Sequence, residues 1–173
     1  TGEITIDGPR DVLVLDTPRT AGGYAPAGQI IVTADKGVSI AMQGADATAW
    51  VSSLDGQPIA SSKRLLVTHL TDLQNTDIKY AEQARQTLLD WGKLPHLVRN
   101  GKAVVSVKNA NAGALKVWAL ATSGKRVADV PVKAADGRIE FTAHVGEGGA
   151  DGGARIVYEV AAPFLRKDGS AGP

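Results

Sequence analysis

With 173 residues, 43% of them apolar, the chain can bury one ordinary core, and a second independent one is not expected. Its 19 basic and 18 acidic residues leave a net charge of +1 and form no runs, which argues against a nucleic-acid face or a basic membrane patch. The absence of cysteine excludes disulfides and thiolate chemistry without fixing a compartment, and no apolar run approaches the roughly 20 residues that span a bilayer.

In chain order, Glu3 to Ile6 and Val12 to Thr17 read as short strands around the turn cluster Asp7-Gly8-Pro9. Pro18 to Gly28, which holds Gly22, Gly23 and Pro26, reads as a loop carrying Tyr24. Gln29 to Thr33 and Val38 to Met42 form a hairpin around Asp35-Lys36-Gly37. Thr48 to Leu54 and Arg64 to Thr71 read as the central strand pair. Leu65, Leu66 and Val67 are consecutive apolar positions without a turn residue, as in a strand covered on both sides. Asp55-Gly56 supplies a turn and Pro58 removes a ladder donor, so a connection runs on to Ser62.

From Asp77 to Trp91 two rules disagree. Ile78, Ala81, Arg85 and Leu88 fall at helical spacing among good helix formers, while a sandwich can carry an irregular excursion here that returns as a strand over Thr87 to Trp91. Beyond it, Leu97 to Arg99 and Lys102 to Val107 flank Asn100-Gly101, the strongest short hairpin signal in the chain. Leu115 to Ala121, Arg126 to Val132, Arg138 to Thr142 and Arg155 to Val160 follow as strands, with a flexible glycine-rich loop at Gly146 to Gly153 before the last. The pattern predicts an all-β, antiparallel β-sandwich, jelly-roll-like, with one short helix or irregular excursion near 77–91. It is expected to be a single domain over 1–162 with a frayed polar tail over 163–173.

Six quoted stretches, in this order, carry a resemblance: TGEITID, VLVLDTPRTAGGY, VSSLDGQPIASSKRLLVTHLTDLQNTDIKY, LLDWGKLPHLV, LKVWALATSGKRV and VYEV. Together they resemble the C-terminal β-sandwich domain of large bacterial glycoside hydrolases, the domain that follows a catalytic (β/α)₈ barrel. The most specific parts are Asp16-Thr17-Pro18-Arg19, Ser53-Leu54-Asp55-Gly56 with Ser62-Lys63-Arg64, Asn75-Thr76, and Asp90-Trp91-Gly92. The chain departs from that pattern at Asp77, where glycine is usual, and at Arg99, where an acidic residue is common, so the loop before Tyr80 is expected to differ. The resemblance implies a non-catalytic accessory domain whose partner is the catalytic domain of the parent enzyme. It also implies an extracellular or periplasmic location, with neither nucleic acid nor membrane as a partner.

The residues offer no catalytic apparatus of their own. Among Asp16, Asp55, Asp72, Asp77, Glu82 and Asp90 no pair stands out as a glycosidase dyad, and solvated turn carboxylates are the simpler reading. His69, His96 and His144 lack the close spacing of zinc motifs, and neither G-x-S-x-G nor a phosphate loop is present. Thr1 could act as a nucleophile through its own amine, but TGEITID is internal in the resembling enzymes, so Thr1 reads as a boundary; no signal peptide precedes it, and the chain is expected to be mature or cut from a longer one.

Oligo- or polysaccharide binding is the alternative function, because a pyranose face stacks on an exposed ring; the candidates are Tyr24, Trp50, Tyr80 and Trp91, with Trp118 assigned to the core. Aromatics make up only 5% of the chain, which is sparse for a dedicated platform. No cofactor is called for. A structural calcium, as in many sandwich modules of sugar enzymes, would fall to Asp72, Asn75 and Asp77, against the simpler reading that Asn75 and Asp77 cap their own turn.

Overall fold

The computed structural model describes residues 2–147 and 153–163. They form an antiparallel β-sandwich of an eight-stranded and a five-stranded sheet, with two further two-stranded pairs. In spatial order the large sheet holds β1 (Ile4–Asp7), β2 (Val12–Asp16), β3 (Thr20–Ala25), β6 (Ala47–Ser53), β7 (Arg64–Leu70), β17 (Val157–Ala161), β13 (Lys116–Leu120) and β14 (Arg126–Val130). The small sheet holds β15 (Val132–Ala135), β16 (Arg138–His144), β12 (Lys102–Lys108), β5 (Val38–Gln43) and β4 (Ile30–Val32). Between β7 and β12 the chain leaves both sheets as a ribbon, in which β8 (Leu73–Thr76) pairs with β11 (Lys93–Val98) and β9 (Lys79–Tyr80) with β10 (Leu88–Asp90).

Alternation fills the space between the sheets. Ala47, Ala49 and Val51 of β6 and Leu65, Val67 and His69 of β7 point inward, meeting Ile40 and Met42 of β5, Val105 of β12 and Phe141 of β16. Each fully buried Val, Ile, Leu or Phe contributes roughly 1.5–3 kcal/mol relative to exposure. Phe141 and Tyr158 meet across the layers with ring centroids 6.0 Å apart. The expected central pair is central: β6 and β7 pair in register from Thr48↔Leu70 to Ser53↔Leu65 in the middle of the large sheet.

Their connection, residues 54–63, is too long to set that register by itself, and two polar side chains fix it. Asp55 accepts from the Ser53 and Ser62 hydroxyls and from the Lys63 and Gln57 backbone N–H groups, and these bonds hold its carboxyl far below the usual range. Asn109, fully buried, donates to the carbonyls of Ile59 and Ser62 and accepts from the Asn111 N–H, so it ties the connection to the end of the neighbouring sheet's β12. The Asp16-Thr17 stretch is structural in the same sense: Asp16 accepts from Ala34 N across the sheets, and Thr17 closes the β2–β3 turn onto Thr20.

Three expectations need correction, and one open choice is decided. The stretch read as a loop around Tyr24 is strand β3, paired on both sides, because Gly22 and Gly23 adopt an extended conformation at φ +150° and +154° open only to glycine. Of the two readings of Asp77 to Trp91, the irregular excursion that returns as a strand, β10, is the one found: Ala81 and Arg85 have no core to face, Asp77 and Arg85 take positive φ, and Tyr80 pairs with Leu88. Asn100-Gly101 closes no hairpin, since β11 pairs with β8 while β12 is already held by β5 and β16. Trp118 is on the outer face of the large sheet and half-exposed, not in the core. The last strand, moreover, inserts between β7 and β13 and not at an edge. Most of the glycine-rich loop and all of 164–173 lie outside the described residues, as does Thr1.

A Cβ at Gly23 would come within 1.8 Å of the Leu13 carbonyl oxygen, and one at Gly22 within 2.1 Å of that of Ala49. Gly22→Ala and Gly23→Ala are each expected to cost roughly 2–4 kcal/mol in urea denaturation. Gly28→Ala, where a Cβ meets nothing, should cost about 1 kcal/mol through its left-handed backbone alone. Equal losses at the three positions would show that β3 is not built as described.

Candidate functional site

The outer faces of the two sheets differ, and the difference locates the candidate site. Across the small sheet, cross-strand neighbours such as Ser39, Ser106 and Glu140, or Gln43, Lys102 and His144, are polar, with one apolar row at Ile30, Ala41 and Val104. That is the usual solvent-facing side of an antiparallel sheet. On the large sheet the row Ile6, Leu13, Tyr24, Thr48 and Leu70 lies beside the row Ile4, Leu15, Gly22, Trp50, Thr68 and Val157. Leu66 stands in the next row, between Ser52 and Glu159. Ile4 and Ile6 are 65% and 76% exposed, and Leu70 is exposed at the far side of the same row.

Tyr24 and Trp50 therefore share this face on neighbouring strands, half-buried. Burial, with the charges of Asp46 and Asp11 close by, raises the Tyr24 phenol above its ordinary value. Its polar edge is thus turned toward acidic loop residues.

Toward the opposite end of this face the chemistry changes. Glu159 of β17 is only 5% exposed and lies between Leu66 and Trp118. Its Oε1 accepts from Arg64 Nε and its Oε2 from Arg126 Nε, both at 2.7 Å. Burial opposes ionisation, but the hydrogen bonds and charges of Arg126 and Arg64 outweigh it and hold the carboxyl below the usual range. The Arg126 guanidinium also covers the Trp118 ring at 3.7 Å from its centroid. Sequence reasoning passed over this cluster. Its signal was the single carboxylate inside the apolar VYEV strand, since a buried charge there requires cationic partners.

The ribbon is the second unusual surface. Leu73, Leu89, Trp91, Leu94 and Leu97 are all more than half exposed on it, Trp91 at 73%. Two of the motif segments named above meet here: Asn75 donates from Nδ2 to the Trp91 carbonyl, and Asp90 accepts from Gly92 N–H. A Cβ on Gly92 would lie 2.2 Å from the Thr76 carbonyl oxygen, so only glycine lets the two halves cross so closely. Tyr80 is half-buried in β9, separate from the Tyr24–Trp50 pair. The four aromatic candidates thus fall into two groups on two surfaces and form no single platform.

The residues proposed for calcium do not fit a calcium cage. Asp72 takes both Nη groups of Arg85 in a bidentate pair and is reached by Arg99, and these contacts, Arg85 first, lower its pKa. Asn75 gives Oδ1 to His96 Nδ1 at 2.7 Å, and Asp77 pairs with Lys93 at 2.7 Å. Their oxygens are turned to separate cationic or N–H partners, which leaves none of the converging oxygens that calcium needs. Asp77 stands at φ +61°, a conformation that glycine takes without strain and that aspartate tolerates.

No family model, curated protein or solved structure matches the chain. Among the described residues no group of three or more His, Asp or Glu side chains is placed to hold a metal. The three histidines do not converge: His96 is on the ribbon, apart from His69, which sits in the core near His144, itself 3.2 Å from Glu147. A cleft of about 500 Å³ at one end of the sandwich holds Asp16 and Asp35, but Asp16 is bonded to Ala34 N, and Asp35 to Gly37 N and the Thr33 hydroxyl.

Two measurements check this arrangement. Arg85 reaches back from the ribbon's turn to Asp72 at its base, so Arg85→Ala should weaken the fold by no more than about 1 kcal/mol while speeding amide hydrogen exchange in β9 and β10 selectively; uniform exchange rates would mean the pair does not restrain the ribbon. His69 is fully buried beside the backbone of Ala143 without a well-formed hydrogen bond, and burial, aided by His144, lowers its pKa from 6.5 to about 4. The folded state therefore favours neutral His69, so its stability is complete above pH 6.5 and falls as pH drops toward 4, by up to roughly 3 kcal/mol. The carboxylates with lowered pKa values begin to lose stability only below about pH 5, so urea midpoints between pH 6.5 and about 5 isolate the histidine. His69→Leu should flatten that slope, and an unchanged slope would assign it elsewhere.

Proposed function

We propose that this chain is a non-catalytic β-sandwich accessory domain that packs on and stabilises the catalytic domain of a polysaccharide-degrading glycoside hydrolase outside the cytoplasm. The observation that carries the reading is the apolar outer face of the large sheet, continuous over Ile4, Ile6, Leu13, Leu15, Trp50 and Leu70, against a small sheet whose outer face is mainly polar. An exposed apolar surface of this kind marks an interaction site, because water-facing sheets alternate apolar inside with polar outside. The ribbon adds Leu73, Trp91 and Leu97 as a second contact that leaves the sheet where β7 ends at Leu70. The motif resemblance supplies the class of partner.

Sugar binding is kept as a second reading because of one feature, Trp91, whose exposure leaves a ring face available for stacking. Calorimetry separates the two. Micromolar binding of an oligosaccharide that disappears in Trp91→Ala would favour the sugar-binding role, and glycoside turnover by the isolated chain would sink both.

The docking role is tested in the complete polypeptide that carries this chain. Ile6→Lys combined with Leu70→Lys should lower the unfolding temperature of the adjoining catalytic domain by several degrees, while shifting that of the isolated chain by no more than about 2 °C, since both sites are exposed. A reading frame with no catalytic domain, or an unaltered catalytic-domain transition in the double variant, would defeat it.

A further inference from the structure

At the end of the large sheet where β7 begins, Arg64 lies six residues from Leu70, about 20 Å from the base of the ribbon. There an open cleft of about 490 Å³ is lined by Asp55, Lys63, Arg64, Arg126, Glu159 and Ala161. Three cations face two carboxylates, which leaves one net positive charge. The carboxylates are both occupied. Asp55 is taken up by hydroxyl and backbone donors of its own loop, and Glu159 by one Nε–H from each arginine.

What the cations do with the rest of their donors is the informative part. Arg64 and Arg126 use only Nε on Glu159, and the Nη groups of both have no protein partner among the described residues. Nor does Lys63 enter an ion pair among them. The guanidinium of Arg126 is further held flat by the Trp118 ring, and its side chain is only 28% exposed. Glu159, buried in the strand, thus fixes two guanidinium groups by their inner edges and leaves their outer edges uncommitted. Such a pair matches the oxygens of a planar or tetrahedral oxyanion, and orienting it in advance removes part of the entropy cost of binding.

We propose that this cleft binds the oxyanion of a small ligand, a carboxylate or the sulfate or phosphate group of an ester, between Arg64 and Arg126. The site does not depend on the docking role, because it stands on the cleft and its donors alone.

The test follows the side-chain Nε signals of Arg64 and Arg126 by NMR at low ionic strength. The whole chain is titrated with glucuronate, glucose 6-sulfate and glucose 6-phosphate, with glucose as the neutral control. Saturable shifts with dissociation constants on the order of millimolar are expected for at least one anion and none for glucose, weakening as salt is added. Response to glucuronate alone identifies a carboxylate ligand, and response to the esters alone identifies sulfate or phosphate. Arg64→Ala, at an exposed side chain, should weaken binding at least about tenfold with the fold intact. Arg126→Lys, which keeps the charge and loses the fork, should weaken it as well. No shift with any anion, an equal response to glucose, or unchanged affinity in Arg64→Ala would overturn the assignment.

Discussion

The register between β6 and β7 is the constraint on which the rest depends. A slip of one residue in β7 against β6 would turn Leu65 and Val67 outward and drive Leu66 and Arg64 into the core, because side chains alternate strictly along a strand. No tight turn sets this register. It is held by a connection fastened at Asp55 and Asn109, with Leu54 N–H donating to the Arg64 carbonyl at its foot. Removing one partner would leave buried donors or acceptors unmet, at about 1–3 kcal/mol each. The polar residues of this loop therefore decide which apolar residues reach the core and which remain on the surface.

That division gives the large sheet an outer face with two chemistries. One end, near the ribbon, is apolar and half-exposed, while the other is built around a buried carboxylate and two arginines. The small sheet carries neither feature on its outer side. A domain with a large unpartnered apolar face and a protruding ribbon of exposed leucines is suited to contact another folded surface. The same geometry offers little for a sugar platform, since Tyr24 and Trp50 are half-buried and set apart from Tyr80 and Trp91.

Much of the fold was legible in the sequence where alternation and turn residues agreed: the central pair and the β4–β5 hairpin are where patterning places them. It was illegible where a local signal competed with pairing made elsewhere. Gly22 and Gly23 carry the composition of a loop, yet they are strand residues because neighbouring backbones approach too closely for any side chain. Asn100-Gly101 has hairpin chemistry, but both edges of β12 were already taken by distant strands, which no local rule can see. The helical spacing from Ile78 to Leu88 failed because a helix stripe needs a core to face, and the ribbon stands away from one. The site was legible in part: Tyr24 and Trp50 stood among the aromatic candidates, whereas the partners of Glu159 lie 95 and 33 residues away along the chain.

Glu159 also raises a question that stability alone does not answer. Taking a carboxylate out of water costs several kcal/mol, and even a well-made buried ion pair often leaves a protein no more stable than an apolar side chain of similar size would. The position lies between Leu66 and Trp118, where an apolar residue would pack without penalty. Arg126 and Arg64 offset the charge, but each does so through Nε alone, and a structural pair would gain more by presenting its full fork to the carboxylate. An arrangement that holds two guanidinium groups in place and leaves their remaining donors facing a cleft is poorly explained as packing. It is better explained as preparation for a second anion, with the buried carboxylate acting as the anchor that keeps both arginines where that anion would meet them.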